Sequence, residues 1–256
     1  MTRARLGTLV LLEALRPAAV LAHALATLDR VCGGRLDVGM GAGWYEPDYA
    51  AVGMAMPSPG ERLARLGEAV EIVVRLLAGE TVTFDGDHHR AAGAFLRPPP
   101  LQQPRPPVFV GGKGDRLLRL AARHADGWNT CWTWTPDAYR ERLAVLDREC
   151  EAAGRDHSTV WRSLGLYALC GDSERDLEWR FERLRSLSPP GVLDSVSLDE
   201  WRVGRLVGTV EQVREQADER SSLGVETLIL GPGAVPFHVG SPDDVEALAE
   251  VLRPVP

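Results

Sequence analysis

The sequence alternates short apolar runs with longer amphipathic segments, and this alternation restricts the fold more than any other feature. Six apolar runs predict strands, and each is followed by a segment with helical spacing of its apolar residues. The predicted strands cover residues 6–12, 35–40, 108–110, 127–130, 160–170 and 225–230. Strands that alternate with helices are typical of α/β proteins with a parallel sheet.

A closed (β/α)₈ barrel needs eight such units. The sequence therefore predicts an α/β fold of the TIM-barrel type that is incomplete at its N-terminus, with about six βα units present. We expect a single domain over residues 1–256, with an insertion around residues 188–207, where no periodicity is visible. Residues 81–84 and 88–90 predict a small hairpin outside the main sheet.

Two helix starts have strong capping sequences. Ser58 precedes a proline and is followed three residues later by Glu61, and Thr209 is followed three residues later by Gln212. We expect helices to begin at both places.

Composition limits the function. The 256 residues have a net charge of −7, with 25% charged and 45% hydrophobic residues, as in soluble globular proteins. No basic cluster suggests nucleic acid as a partner, and no apolar run is long enough to span a membrane. The start has no signal peptide, and the four cysteines form no C-x-x-C pair, which argues against zinc and disulfides. We expect a cytoplasmic protein with a small-molecule partner and no metal.

Two glycine-rich loops follow predicted strands. The first runs from Gly39 to Trp44 and has G-x-G-x-G spacing, which differs from the G-x-G-x-x-G of dinucleotide-binding folds. It is either a turn at a barrel rim or a place where a ligand ring or phosphate approaches the backbone. The second, residues 110–114, lies between a strand and a helix, where backbone amides favour an anion. Active sites of barrels lie at the C-terminal ends of strands, so we expect both loops to contribute to one site.

Other candidates are less specific. Glu46 and Asp48 are candidate general acids, and the alternative is that they are solvated carboxylates. The pair His88-His89 is expected to be solvated on the hairpin, and no histidine group has metal-ligand spacing. Three tryptophans follow the fourth predicted strand and could be core residues or walls of an aromatic pocket; they are Trp128, Trp132 and Trp134.

The chain resembles the bacterial luciferase-like family, in the branch of flavin- or F420-dependent oxidoreductases with a G-x-G-x-G-W loop. The matching segments include residues 6–10, 26–44, 59–65, 79–86, 106–112, 121–129 and 224–230, in the same order as in the family. The resemblance covers essentially the whole chain, and the combination is more specific than any single segment.

The resemblance implies a (β/α)₈ barrel, usually homodimeric, that uses coenzyme F420 or, alternatively, FMN. It implies that residues 8–12 lie against the cofactor ring, where some members have a non-prolyl cis peptide. It also implies that Gly41 and Gly43 border the ring and that Gly111 and Gly112 bind phosphate through their amides. The cofactor-binding residues implied in this way are Thr8, Leu9, Val10, Leu11, Gly41, Gly43, Trp44, Gly111, Gly112, Lys113 and Gly114.

The sequence departs from the family at its start. It begins where the third strand of the family normally stands, and the two earlier units usually supply substrate-side residues. Trp44 also stands where the sugar-phosphate dehydrogenase branch has a glutamate, which disfavours that activity. Three hypotheses remain: an F420-dependent oxidoreductase, an FMN-dependent monooxygenase, and a truncated flavin-binding or degenerate protein without catalysis.

Overall fold

The computed structural model describes residues 3–236 and 238–251. They form two compact units. The first contains the described residues up to Trp128 together with Val145–Trp161, and the second contains Asn129–Ala144 and the described residues from Arg162 onward.

The order of elements follows the predicted alternation of strands and helices. In chain order the elements are β1 (Leu6–Gly7), β2 (Leu11–Leu12), α1 (Ala18–Val31), β3 (Leu36–Gly41), α2 (Glu46–Ala51), α3 (Pro59–Leu77), β4 (Val82–Asp85), β5 (Arg90–Ala94), β6 (Val108–Gly111), α4 (Asp115–His124), β7 (Gly127–Trp132), α5 (Pro136–Ala152), β8 (Trp161–Gly171), α6 (Glu174–Leu187), α7 (Leu198–Arg202), β9 (Leu206–Thr209), α8 (Val210–Ser222), β10 (Thr227–Gly231) and α9 (Pro242–Val251).

The first unit is built around parallel strands. β1 and β2 both pair with β3, and β3 pairs with β6 on its other side. In this register Leu12 is opposite Gly41, and Met40 is opposite Val110. Because the strands are parallel, their carboxyl ends meet at one edge of the sheet. The loops after β2, β3 and β6 therefore begin side by side.

Helix α3 begins as its sequence predicts. The Ser58 hydroxyl accepts a 3.3 Å hydrogen bond from the backbone N–H of Glu61, which caps the helix. The buried face of α3 includes Leu66, Val70, Val73 and Leu77. Gly67 lies inside the helix, where a Cβ would be 3.2 Å from the Leu120 side chain, so the missing side chain lets α4 approach closely.

Strands β4 and β5 form the predicted antiparallel hairpin, which is a two-stranded sheet of its own. Glu68 on α3 holds the turn of this hairpin. Its carboxylate accepts hydrogen bonds from the backbone N–H groups of Asp87, His88 and His89 at 2.7 to 3.1 Å. Burial raises the pKa of Glu68, but these three hydrogen bonds outweigh it and the pKa is lowered overall.

The second unit contains a further parallel arrangement around β8. The first part of β8 pairs with β10, with Tyr167 opposite Gly231, and its last four residues pair with β9. One buried cluster packs beneath them, formed by Tyr167, Leu169, Leu177, Phe181, Leu184, Leu193, Trp201 and Val207. Thr209 caps α8 in the capping box that the sequence predicts.

Several elements differ from the predictions. The strand predicted over residues 6–12 is interrupted between β1 and β2, and the region 188–207 contains α7 and the start of β9. Helix α2 begins at Glu46, directly after the first glycine loop, where no helix was predicted. Short elements such as these have too few residues to show a period. Among residues 3–236 and 238–251, no helix is long and apolar enough to cross a membrane.

Candidate functional site

The carboxyl edge of the first unit's sheet presents an apolar residue between two glycines. A Cβ at Gly41 would overlap the Cγ2 of Val10, and a Cβ at Gly111 would be 2.8 Å from the Cγ1 of Val10. The Val10 side chain is nevertheless 37% exposed. The two glycines therefore leave room for Val10 to lie over the ends of β3 and β6 and to present an apolar surface to solvent.

Residues 8–10 are held in place by the backbone of β3. The Thr8 hydroxyl donates a 3.0 Å hydrogen bond to the Gly39 carbonyl oxygen and accepts a 2.8 Å hydrogen bond from the Gly39 N–H. These bonds occupy the segment between β1 and β2, which explains the interruption of the strand. The Leu9–Val10 peptide bond is cis, as the family resemblance implies for this segment.

The first glycine loop, Gly39 to Trp44, is held in place by helix α2. Gly43 has a φ of 74°, and a Cβ there would be 2.5 Å from Leu12 and 2.8 Å from the Tyr49 hydroxyl, so only glycine fits. Tyr49 is fully buried and donates a 2.9 Å hydrogen bond to the Ala42 carbonyl oxygen. Burial raises the pKa of Tyr49, which keeps its hydroxyl protonated and donating. Trp44, next in the chain, is 75% exposed.

The second glycine loop, residues 110–114, leads directly into α4. Gly112 has a φ of 151°, and a Cβ there would be 3.1 Å from Leu117. The N-terminus of α4 has no side-chain cap, although Asp115 lies in its first turn. Uncapped amides at a helix N-terminus, next to the cation of Lys113, favour binding of an anion such as phosphate. The predicted phosphate-binding role of this loop stays a prediction.

The second unit contains an aromatic cluster formed by Trp132, Tyr167, Trp201 and Arg205. The rings of Trp132 and Tyr167 are stacked at 5.2 Å, and the Arg205 guanidinium lies 5.8 Å from the Tyr167 ring and 5.3 Å from the Trp201 ring. Arg205 is half-buried, and burial lowers its pKa. Its described hydrogen bonds go to the carbonyl oxygens of Trp201 and Val203, without a carboxylate partner in the described part of the chain.

Two strands end at or beside the aromatic cluster. Trp132 ends β7, and Tyr167 is opposite Gly231, which ends β10. The cluster offers an apolar wall beside a cation. Sequence reasoning named Trp132 as a possible pocket wall but missed Tyr167 and Arg205, because a tyrosine within a strand and a lone arginine have no motif.

The remaining candidates have mixed outcomes. Glu46 and Asp48 are exposed and lie in the first turn of α2. Trp128 and Trp134 are buried, in agreement with the prediction of core tryptophans. No three His, Cys, Asp or Glu side chains are grouped to hold a metal ion within the described ranges.

The prediction that His89 is solvated is wrong. His89 is 7% exposed, and its Nε2 lies 2.6 Å from the Oε1 of Glu13, which is 2% exposed. Arg65 is the second cation beside Glu13, with its Nε 3.7 Å from Oε2. A buried carboxylate needs such partners because it has lost its water. The pairing of Glu13 with His89 could not be recognised from the sequence, since 76 positions separate the two residues.

The residues of the first unit fit a flat ring that carries a phosphate. Val10 with its two flanking glycines gives an apolar surface free of side chains on both sides, and a Cβ at Gly41 or Gly111 would disturb it. The second glycine loop leads, at the same edge of the sheet, into the N-terminus of α4, where an anion could be accommodated by backbone amides.

Parallel strands that alternate with helices define an α/β protein, and loops that meet at the carboxyl ends of the strands are arranged as in the TIM-barrel type. Solved structures share this fold. An F420-dependent secondary alcohol dehydrogenase in complex with an F420-acetone adduct matches with a TM-score of 0.76 and 23% identity, over 98% of this chain and 79% of that chain. The monooxygenase RslO1 from Streptomyces bottropensis matches with a TM-score of 0.75 and 27% identity, over 97% of this chain and 77% of that chain.

The model of the luciferase-like monooxygenase family matches residues 2–227, and the chain belongs to this family. Over 155 residues it is 37% identical to an F420-dependent glucose-6-phosphate dehydrogenase from Nakamurella multipartita. That alignment covers 60% of this chain and 45% of the relative. The matched part therefore spans less than half of the relative's length.

Proposed function

We propose that the chain is an oxidoreductase that transfers a hydride between coenzyme F420 and a small organic substrate. The observation that carries this proposal is the meeting of Val10 with both glycine loops at one edge of the first unit's sheet. Family membership and the relative that is named F420-dependent support the choice of cofactor.

The residues at the carboxyl edge of the first unit's sheet have different roles in this proposal. Thr8, Leu9, Val10 and Leu11 would support one face of the ring, while Gly41, Gly43 and Trp44 would border it. Gly111, Gly112, Lys113 and Gly114 would hold the phosphate through backbone amides and one cation. When bound, F420 supplies a carbon that accepts or gives a hydride. The protein's contribution is to orient that ring and keep the Val10 surface dry.

Glu46 and Asp48 are the candidate general acids in this proposal. Both are exposed at the start of α2, two and four residues after Trp44. If either one transfers a proton, Glu46→Gln or Asp48→Asn should lower turnover by about a hundredfold while leaving cofactor affinity unchanged. Asp218→Asn, which removes an exposed carboxylate on α8, is the matched control. Equal turnover in all three variants would remove both candidates.

Cofactor binding is the first test. Titration with F420 and with FMN, followed by tryptophan fluorescence, should show saturable micromolar quenching by F420, because Trp44 and Trp128 adjoin the two loops. Gly112→Asp should weaken F420 binding by at least about tenfold, or about 1.4 kcal/mol, through bulk and like charge. Gly154→Asp is the control, because Gly154 also has a positive φ (66°) but no atom within 4 Å of its Cβ position.

The outcomes separate the hypotheses. Preference for FMN would favour the FMN-dependent monooxygenase. Binding of neither cofactor by a folded sample would overturn the proposal and favour a noncatalytic protein. If F420 binds, its absorbance should be followed with glucose 6-phosphate and with a secondary alcohol, the substrate classes named for the two F420-dependent relatives.

Two further expectations come from the family resemblance. We expect a homodimer, which light scattering of the purified chain would detect as twice the mass of 27.9 kDa. We also expect a cytoplasmic location, which fractionation of the source cells would test.

A further inference from the structure

One cavity in the first unit has no role in the proposed reaction. It has a volume of about 310 Å³ and lies between the segment that follows β2, helix α3 and the turn of the β4–β5 hairpin. Five basic side chains line it: Arg16, Arg65, His88, His89 and Arg90. Among the described residues, the lining includes no acidic side chain. A volume of this size is at the lower end of the range for small-molecule sites.

The positive charge around the cavity is only partly neutralised. The Arg16 guanidinium has no hydrogen-bond or ion-pair partner within residues 3–236 and 238–251, and the His88 imidazole interacts electrostatically with the Glu68 carboxylate. Arg90 pairs with Asp85 at 2.8 Å, but both side chains are about 80% exposed, so this pair contributes little. The Nε of Arg65 is buried and makes no hydrogen bond in the described structure. The buried carboxylate of Glu13 is engaged by His89 and lies 3.7 Å from the Nε of Arg65, so it neutralises part of this charge.

The start of helix α1 also lines the cavity. Pro17 and Ala18, which line the cavity, are the N-cap and first residue of this 14-residue helix. No side chain caps the helix, and its first turn has no acidic residue. The first amides of a helix have no partner within it and carry partial positive charge, so they attract anions.

Two carboxylates that do not line the cavity, those of Glu13 and Glu68, hold one of its walls in place. Glu13 fixes the His89 ring through the 2.6 Å contact, and Glu68 accepts the backbone N–H groups of residues 87–89. These contacts fix the His89 ring and the backbone of residues 87–89, which form one wall of the cavity. A preformed wall of this kind loses less conformational entropy when a ligand binds to it.

We propose that this basic cavity binds an oxyanionic group of a small molecule, either a phosphate ester or a carboxylate. Arg16 and His88 would donate to the anion from opposite walls, and the amides at the start of α1 would complete the set of donors. The cavity wall begins at Ala14, two residues after the end of β2, so it follows the same edge of the sheet as the glycine loops.

Calorimetric titration with inorganic phosphate and with triglutamate tests the proposal. Arg16→Gln and His88→Gln should each weaken binding of the preferred anion by about tenfold, since charge-assisted hydrogen bonds contribute about 1.5 to 3 kcal/mol. Arg123→Gln on α4 is the control, because it removes an exposed arginine outside the cavity. Tighter binding of phosphate identifies a phosphate ester as the ligand group, and tighter binding of triglutamate identifies a carboxylate.

A second variant separates this cavity from the glycine loops. Gly112→Asp should leave binding to the basic cavity unchanged, even if it abolishes F420 binding. The proposal is overturned if neither anion binds, if Arg16→Gln and His88→Gln bind as the unmodified chain does, or if only Gly112→Asp removes the binding. Far-ultraviolet circular dichroism of each variant verifies that it is folded.

Discussion

The indole Nε1 of Trp128 donates a 2.8 Å hydrogen bond to the carbonyl oxygen of Gly112. Trp128 is fully buried on β7, whereas Gly112 is part of the second glycine loop. This bond ties the loop to the core and fixes the orientation of the peptide unit after Gly112. The amide of Lys113 belongs to that peptide unit, so the bond helps to preorganise a donor for the anion.

Trp128→Phe should therefore weaken cofactor binding without unfolding the protein. Loss of the bond leaves the Gly112 carbonyl without its indole donor, and we expect about 1 to 3 kcal/mol less stability. F420 affinity should fall about tenfold as the loop becomes less ordered. Fluorescence titration and urea unfolding measure the two effects. Unchanged affinity in a destabilised variant would show that Trp128 serves packing alone.

Gly41→Ala should be destabilising, although alanine is a conservative change. Its Cβ would overlap the Cγ2 of Val10, so the Val10 side chain or the backbone beside it would have to shift. Overpacking of this kind costs about 1 to 3 kcal/mol. Gly114→Ala is the control, because no atom lies within 4 Å of a Cβ at that position. If both variants unfold at the same urea concentration, the contact between Val10 and Gly41 is not tight in solution.

Glu68→Gln should lower the free energy of unfolding at neutral pH and change how that free energy depends on pH. The pKa of Glu68 is lowered in the folded state from its ordinary value of 4.5. Its contribution is therefore present above that value and is lost as the pH falls through the lower folded value. Unfolding curves at pH 7 should differ by about 1 to 2 kcal/mol between Glu68→Gln and the unmodified chain. The two curves should converge once the pH falls below the lowered pKa of Glu68, and Glu71→Gln should show no such change.

The four cysteines should differ strongly in reactivity. Cys32, Cys150 and Cys170 are buried, and burial raises the pKa of the Cys170 thiol to about 11, so little thiolate forms at neutral pH. Cys131 is partly exposed. Ellman's reagent should modify Cys131 first and the other three only after urea is added. Cys131→Ser should remove the fast phase, and persistence of that phase would contradict the burial of the others.

The elements that local sequence specifies were predictable. The Ser58 and Thr209 caps act within three residues, and the apolar period of a helix or strand repeats within a few positions, so both were confirmed. The positions of the two glycine loops followed from the same reasoning, because a strand of known direction places its own carboxyl end. Their role in cofactor binding remains a proposal.

The tertiary structure decided what depends on distant residues. Glu13 and His89 pair across 76 positions, and the basic cavity gathers side chains from three separate segments. Tyr167 meets Arg205 only because β9 pairs with the last residues of β8. Sequence alone determined the order of the long strands and helices, since these follow from local backbone preferences and periodicity, but it did not reveal short elements such as α2 and α7. The burial and charge of individual side chains were decided by the fold, because they depend on neighbours that local sequence does not specify.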